Sequence, residues 1–375
     1  MLTLGVVGTS RMENERRVPI HPDHFGLIPP PVAERLTFET GYGEPFGIGD
    51  EEIASRFGPT APRASLLNDF DVVLLPKPLE RDLRDMRDGM IHWGWPHCVQ
   101  QRGITQAAID RRLTLLAWEA MFTWRGELRD MHLFARNNEM AGYCAVDHAM
   151  TLAGMNGHYG PPLKAVVLSF GSVSRGAVAA LLAEGVPDVT VYTQRPPELV
   201  ANTIPGVRHG RMGRTGDDLF VTEEDGSTRP LREAIAGADI IVNGVLQDTD
   251  APLHYLRAGE EGLLKRGALI VDVSCDEGMG FPFARPTSFE EPVFACGPAI
   301  YYAVNHSPSW HWRSASWELS RVVVTFLGKV MGGPDAWAAD ETIRRCVEIR
   351  EGVIENPKVL SFQGRSAAYP HAVCA

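Results

Sequence analysis

Two rhythms of apolar and polar positions alternate along this chain. Short β-branched runs end in Gly, Pro or polar residues, and stretches with apolar positions every three or four residues follow them. In the N-terminal part the segments 1–8, 36–40, 71–75 and 113–117 read as strands. Met90-Ile91 leads into Trp93-Gly94-Trp95-Pro96-His97. A weak helix is expected from Pro22 to about Leu27. Another, over 51–57, can be capped by Asp50. A long helix from Asn138 to about Met155 leads into a second series. Its strands are 166–168, 189–192, 238–244 and 267–273, with an alanine-rich helix over 176–185. Helical periodicity returns over 314–331 and 337–353, and the segment from Gly364 reads as a loose tail.

This order predicts an α/β protein with two Rossmann-like domains, each built on a parallel doubly wound sheet. Residues 138–305 form the expected dinucleotide-binding domain. The last helices have no sheet of their own, so 306–375 should pack back on 1–137. That makes the substrate domain discontinuous, with an active-site cleft expected between the domains.

The most informative segment is 165–176. A buried strand ends in Ser169-Phe170-Gly171-Ser172-Val173-Ser174-Arg175-Gly176, and a helix follows at once. A strand, a tight turn and a helix N-terminus make an anion site, because free N–H groups and the helix dipole point at one spot. Gly171, Ser172, Val173, Ser174 and Gly176 are therefore candidate dinucleotide contacts. The usual first glycine is Ser169, and an ordinary βα turn would read the same way. After the strand 189–192 come Thr193, Gln194 and Arg195, with no carboxylate for a ribose 2′-hydroxyl. A guanidinium suits a 2′-phosphate, which favours NADP(H), with NAD(H) as the alternative. Arg195, standing before Pro196-Pro197, also reads as a solvated loop arginine.

The chain has 375 residues, 44% apolar and 22% charged, with a formal net charge of −11. The charge disfavours nucleic acid and anionic membranes as partners. Six scattered cysteines without a C-x-x-C pair fit reduced cytoplasmic thiols and no metal site. No apolar run approaches a membrane span, and the N-terminus lacks a signal-peptide pattern. Only five of the 36 basic residues are lysine. One of them, Lys77, stands between Pro76 and Pro78 just after a buried strand, so its side chain is aimed. Apolar walls would lower its pKa and make it a usable acid or base. His97 follows the rigid Trp93, Trp95 and Pro96. Arg17 could clamp a carboxylate. Taken singly, these three read as a rim lysine, a structural histidine and an arginine paired with Glu13 or Glu15.

Four separated motifs, in order, carry a resemblance over nearly the whole chain. They are Asn14-Glu15-Arg16-Arg17-Val18, Pro76-Lys77-Pro78, Gly94-Trp95-Pro96-His97 and Val271-Asp272-Val273-Ser274-Cys275-Asp276-Glu277-Gly278. Together they resemble the alanine dehydrogenase / lysine-forming saccharopine dehydrogenase superfamily. Tyr301-Tyr302-Ala303-Val304-Asn305-His306-Ser307-Pro308-Ser309 is most similar to N5-(carboxyethyl)ornithine synthase-like members. The resemblance implies that Arg17 binds a keto-acid carboxylate and that Lys77 contacts the carbonyl or imine centre. It implies acid/base work for His97 and an active-site carboxylate at Glu119. Asp276 would lie near the nicotinamide, although it also reads as a turn aspartate before Gly278. Asn243, Gly244 and Val245 would line the cofactor's ribose and nicotinamide. The implied reaction is reductive condensation of an amino acid with an α-keto acid. The alternative is oxidative deamination of the alanine or saccharopine dehydrogenase type. A non-catalytic nucleotide-binding module is a third reading, disfavoured by Lys77 and His97. Homo-oligomerisation stays open.

Overall fold

In the computed structural model, residues 1–196, 199–248 and 250–374 are described. The chain forms two compact units, Met1–Ala135 with Trp312–Ala375, and Arg136–His311.

The first unit is built on an eight-stranded sheet. Six strands are parallel, in the spatial order Thr114–Ala117, Ile91–Gly94, Val72–Leu74, Leu4–Val6, Leu36–Glu39, Thr60–Ala61. Val72 and Leu74 face one hydrophobic cluster, while Val73 and Leu75 face another. Both faces are thus buried, which is why these strands read as continuous apolar runs. The chain runs outward from Leu4–Val6 to Leu36–Glu39 and Thr60–Ala61, then crosses back to Val72–Leu74 on the other side of Leu4–Val6. That topological switch opens a crevice beyond the carboxyl ends of the strands.

The second unit has a nine-stranded sheet. Its parallel core runs Arg208–Thr215, Asp188–Thr193, Lys164–Leu168, Ile240–Asn243, Leu269–Asp272, Ala299–Tyr302. Val166 and Leu168 face one cluster, Ala165 and Val167 the other. The switch point lies at the end of Lys164–Leu168, between Asp188–Thr193 and Ile240–Asn243.

The observed fold departs from the expectation in three places. Both sheets are mixed: Asp218–Thr222, Thr228–Pro230 and Val293–Cys296 add antiparallel to the second. The helix expected over 337–353 is replaced by Pro334–Ala339, Glu341–Arg345 and the strand Val347–Arg350, which pairs antiparallel with Thr114–Ala117. Asp340 caps the second helix by accepting from Ile343 N (3.0 Å), and β-branched Val347 and Ile349 then pack better on a sheet. The terminal segment is tied down as well: Ile354 N donates to His371 Nε2 (3.0 Å), and Arg365 Nη1 donates to His371 O (3.2 Å).

Candidate active site

Lys77, His97 and Glu119 each follow the carboxyl end of a neighbouring parallel strand, Val72–Leu74, Ile91–Gly94 and Thr114–Ala117. The fold therefore brings them together from positions far apart in the chain. Lys77 Nζ lies 3.1 Å from His97 Nε2. Glu119 Oε1 accepts from His97 N at 2.7 Å and stands 3.8 Å from His97 Nδ1. The backbone bond holds His97 in a left-handed conformation, φ +47°, which turns its ring toward Lys77. With Lys77 as an ammonium donor, Nε2 is the acceptor and the ring proton sits on Nδ1. The His97 side chain is 38% exposed and that of Glu119 28%, so both groups remain reachable.

Electrostatics sharpen these roles. Burial, then the charges of Lys77 and Arg17, hold the His97 pKa well below its ordinary value. Burial, then the Glu348 carboxylate, raises Glu119 to about 8. Glu119 Oε2 is buried without a hydrogen-bond partner. Glu119 is accordingly held toward its neutral acid form, with its titration raised to about 8. A carboxyl raised in the fold stabilises it most below its unfolded pKa, and that contribution is lost as pH rises through the folded one. Glu119→Gln, a mimic of the neutral acid, should flatten the fall of melting temperature between pH 5 and 9. An unchanged slope would remove Glu119 as its source.

Arg17 is buried beside this group. Its Nε and Nη2 donate to Glu15 Oε1 (2.8 Å) and Oε2 (2.5 Å), and its guanidinium lies 5.1 Å from the Trp95 ring centre. Arg16 is exposed. The Glu15–Arg17 pair is a desolvated fork, not a surface contact.

In the second unit, the helix Ser172–Ala183 begins one turn earlier than the alanine pattern suggested, with Gly171 as its N-cap. A Cβ built on Gly171 would meet only Ser169 Oγ, at 3.8 Å, so the space before the helix N-terminus is open. Ser172 and Val173 contribute first-turn N–H groups to it, and buried Ser174 ties the turn by donating from Oγ to Leu168 O (3.2 Å). Ser169 takes φ +80°, a backbone usually left to glycine, and its Oγ faces Gly171 N at 3.3 Å. The cradle thus fits a diphosphate. Gly176 is not at the cradle but inside the helix. Its missing Cβ allows the helix Ala135–Leu152 to approach, since a Cβ there would sit 1.7 Å from Glu139 O.

Gln194 and Arg195 are exposed just past Asp188–Thr193, and Arg195 Nη2 donates to Phe170 O (3.0 Å). Pro197 lies outside the described residues. Asn243 is buried, Gly244 N donates to Leu168 O (3.1 Å), and Val245 N donates to Asn243 Oδ1 (3.2 Å). Asp276 is partly buried, and burial raises its carboxyl. Sequence reasoning offered Glu15 as a partner of Arg17 but as a surface contact, and it missed Glu348 behind Glu119 and the carboxylate of Asp272. For Asp272 the available signal was a polar end on an otherwise apolar strand.

Residues 154–357 match the family described as alanine dehydrogenase/PNT, C-terminal domain. N(5)-(carboxyethyl)ornithine synthase of Clostridium botulinum is 26% identical over 322 residues, 82% of this chain and 88% of that protein. Alanine dehydrogenase of Mycolicibacterium smegmatis is 27% identical over 367 residues, 92% of this chain and 93% of its own. A solved L-alanine dehydrogenase covers 96% of this chain and 98% of its own, with TM-score 0.72 at 18% identity. A solved transhydrogenase from Sinorhizobium meliloti covers 95% and 99%, with TM-score 0.68 at 18% identity. These two likenesses speak to the fold.

Proposed function

The chain belongs to the alanine dehydrogenase/PNT family by its C-terminal domain, and from that premise we propose an NADP(H)-dependent reductive condensation of an amino acid with an α-keto acid. The observation that carries the reading is the Lys77 Nζ–His97 Nε2 contact at 3.1 Å, with Glu119 and Arg17 around it. An ammonium donor coupled to an imidazole acceptor, beside a guanidinium, suits a carbonyl that must gain and lose protons next to a carboxylate. The likeness to N(5)-(carboxyethyl)ornithine synthase supports an amino acid as the amine.

In this reading Arg17, oriented by Glu15, engages the keto-acid carboxylate. The substrate amine attacks the carbonyl carbon as the C–N bond forms. Lys77 gives the alkoxide oxygen a proton, and His97 Nε2 takes one from nitrogen. The proton on His97 passes back to Lys77 across their 3.1 Å contact, Lys77 protonates the hydroxyl as it leaves as water, and a protonated C=N bond remains. A nicotinamide nucleotide, bound by the second unit, supplies the hydride that reduces this bond. Gly171, Ser172 and Val173 would hold its diphosphate, and Arg195 a 2′-phosphate. Asn243, Gly244, Val245 and Asp276 would border the nicotinamide half. The substrate domain is read as 1–137 with 306–375 and the nucleotide domain as 138–305. The scattered single cysteines, with no C-x-x-C pair, support a reducing, cytoplasmic setting.

A second reading, ammonia-dependent reductive amination, is favoured by the coverage of alanine dehydrogenases, 92% of this chain for one of them. The deciding assay follows NADPH and NADH oxidation with pyruvate or 2-oxoglutarate against the amino acids, ornithine and ammonia. Consumption that needs an amino acid, with a secondary amine in the product mass, supports condensation. Consumption with ammonia alone selects the second reading, and none with any pair refutes both. In parallel binding titrations, Arg195→Ala should weaken NADPH about 10–100-fold and leave NADH nearly unchanged. Equal losses for both would sink the 2′-phosphate assignment.

A further inference from the structure

Asp272 ends the strand Leu269–Asp272 and is 1% exposed, a buried carboxylate that the chemistry above does not use. Three donors converge on it. Asn243 Nδ2 and Cys275 N reach Oδ1, each at 2.9 Å, and the Tyr301 hydroxyl reaches Oδ2 at 2.9 Å. Asn243 Oδ1 accepts in turn from Val245 N (3.2 Å) and the Tyr255 hydroxyl (3.0 Å). Gln247 Nε2 donates to that hydroxyl (3.0 Å). One carboxylate therefore ties together two adjacent strand ends and both loops that leave them. Those loops carry Gly244, Val245 and Asp276. A carboxylate can accept from all three donors, whereas an amide turns an N–H toward one of them.

All three donors are neutral. The titratable groups that act on Asp272 or respond to it are themselves acids: Asp276 on the following loop, Tyr255, and Tyr301 from Ala299–Tyr302. Burial, the largest cause, raises the Asp272 carboxyl to about 6, so it is ionised above that pH. A buried anion satisfied only by neutral donors keeps most of its field.

We propose that Asp272 is a positioning residue of the nucleotide site, shaping both strand-end loops and making the site prefer the oxidised, cationic nicotinamide to the reduced, neutral one. The inference rests on assigning these strand ends to the nicotinamide half of the cofactor. Ligands of open α/β sheets lie beyond such ends, so the charge stands on the ring's side of the sheet. Oxidised nicotinamide carries a unit positive charge that reduction removes, and an anion attracts only the former. By linkage, protonating Asp272 below about pH 6 weakens the oxidised form selectively.

The test is direct titration of the whole protein with NADP⁺ and NADPH, repeated with NAD⁺ and NADH, at pH 8 and pH 5.5. Asp272→Asn should raise the ratio of oxidised to reduced Kd roughly tenfold at pH 8, with NADPH binding kept. The wild-type ratio should rise at pH 5.5, and that of Asp272→Asn should not. Tyr301→Phe removes one donor and keeps the charge, so it should move the wild-type transition to higher pH. If Asp272→Asn does not fold, that shift decides the matter, and an unmoved transition overturns the proposal. An unchanged ratio in folded Asp272→Asn also overturns it. So does a pH effect that disappears in Asp276→Asn but persists in Asp272→Asn. If the wild type binds none of the four nucleotides, the cofactor reading itself falls, and this inference with it.

Discussion

Lys77→Met should lower the rate of condensation about 10²–10⁴-fold while NADPH affinity and melting temperature stay near wild type. Methionine keeps the apolar stem and removes the ammonium. Pro76 and Pro78 hold the backbone in place, so the change falls on Nζ and its 3.1 Å contact with His97. The remaining histidine loses the neighbour whose charge helps lower its pKa, and should titrate closer to its ordinary range. Steady-state kinetics, nucleotide titration and thermal unfolding on one preparation separate the outcomes. Turnover within a few-fold of wild type would exclude Lys77 from proton transfer. Joint loss of turnover, binding and stability would make it a structural residue.

Gly176→Ala is expected to destabilise the protein by about 1–3 kcal/mol, and to weaken nucleotide binding through displacement of a helix rather than loss of a contact. One methyl is added, but its carbon would lie 1.7 Å from Glu139 O, and neither partner is a side chain that can swing away. The helices Ala135–Leu152 and Ser172–Ala183 must therefore separate. The same pair is constrained from the other side, where a Cβ on Gly142 would lie 1.8 Å from Val173 O. Val173 and the Gly171 cap belong to the cradle, so separation moves its N–H groups. For a protein of 375 residues the melting temperature should fall by roughly 1–4 °C. Gly237→Ala, where nothing lies within 4 Å of an added Cβ, is the matched control and should be near neutral. Equal behaviour of the two variants would refute the close-packing argument.

The sequence pattern was most legible where burial is two-sided. Val72–Leu74 is apolar at every position, and Ile240–Asn243 at every position but its polar end Asn243, because both faces are covered, and their local composition announces it. It was least legible at the edges. Val347–Arg350 has an apolar, acidic, apolar, basic order that fits a strand, yet it follows residues with helical spacing. Only pairing with Thr114–Ala117 selects the strand. The antiparallel additions of Asp218–Thr222, Thr228–Pro230 and Val293–Cys296 likewise depend on neighbours far along the chain.

Sequence alone determined the α/β class, the strand-turn-helix at 165–176, and the placing of Lys77 and Glu119 after strands. Each of these is written in local residue order: alternation, a glycine at a turn, a polar residue where an apolar run stops. The tertiary structure decided who meets whom. Parallel pairing of Val72–Leu74, Ile91–Gly94 and Thr114–Ala117 sets Lys77, His97 and Glu119 within reach of one another. The fold of each unit also decides burial: Arg17 is enclosed with Glu15 in the first, and Asp272 lies under three donors in the second. Charge states follow from that burial. A carboxyl near 8 at Glu119 and one near 6 at Asp272 depend on desolvation and on charges brought close in space, and no local pattern of residues encodes either.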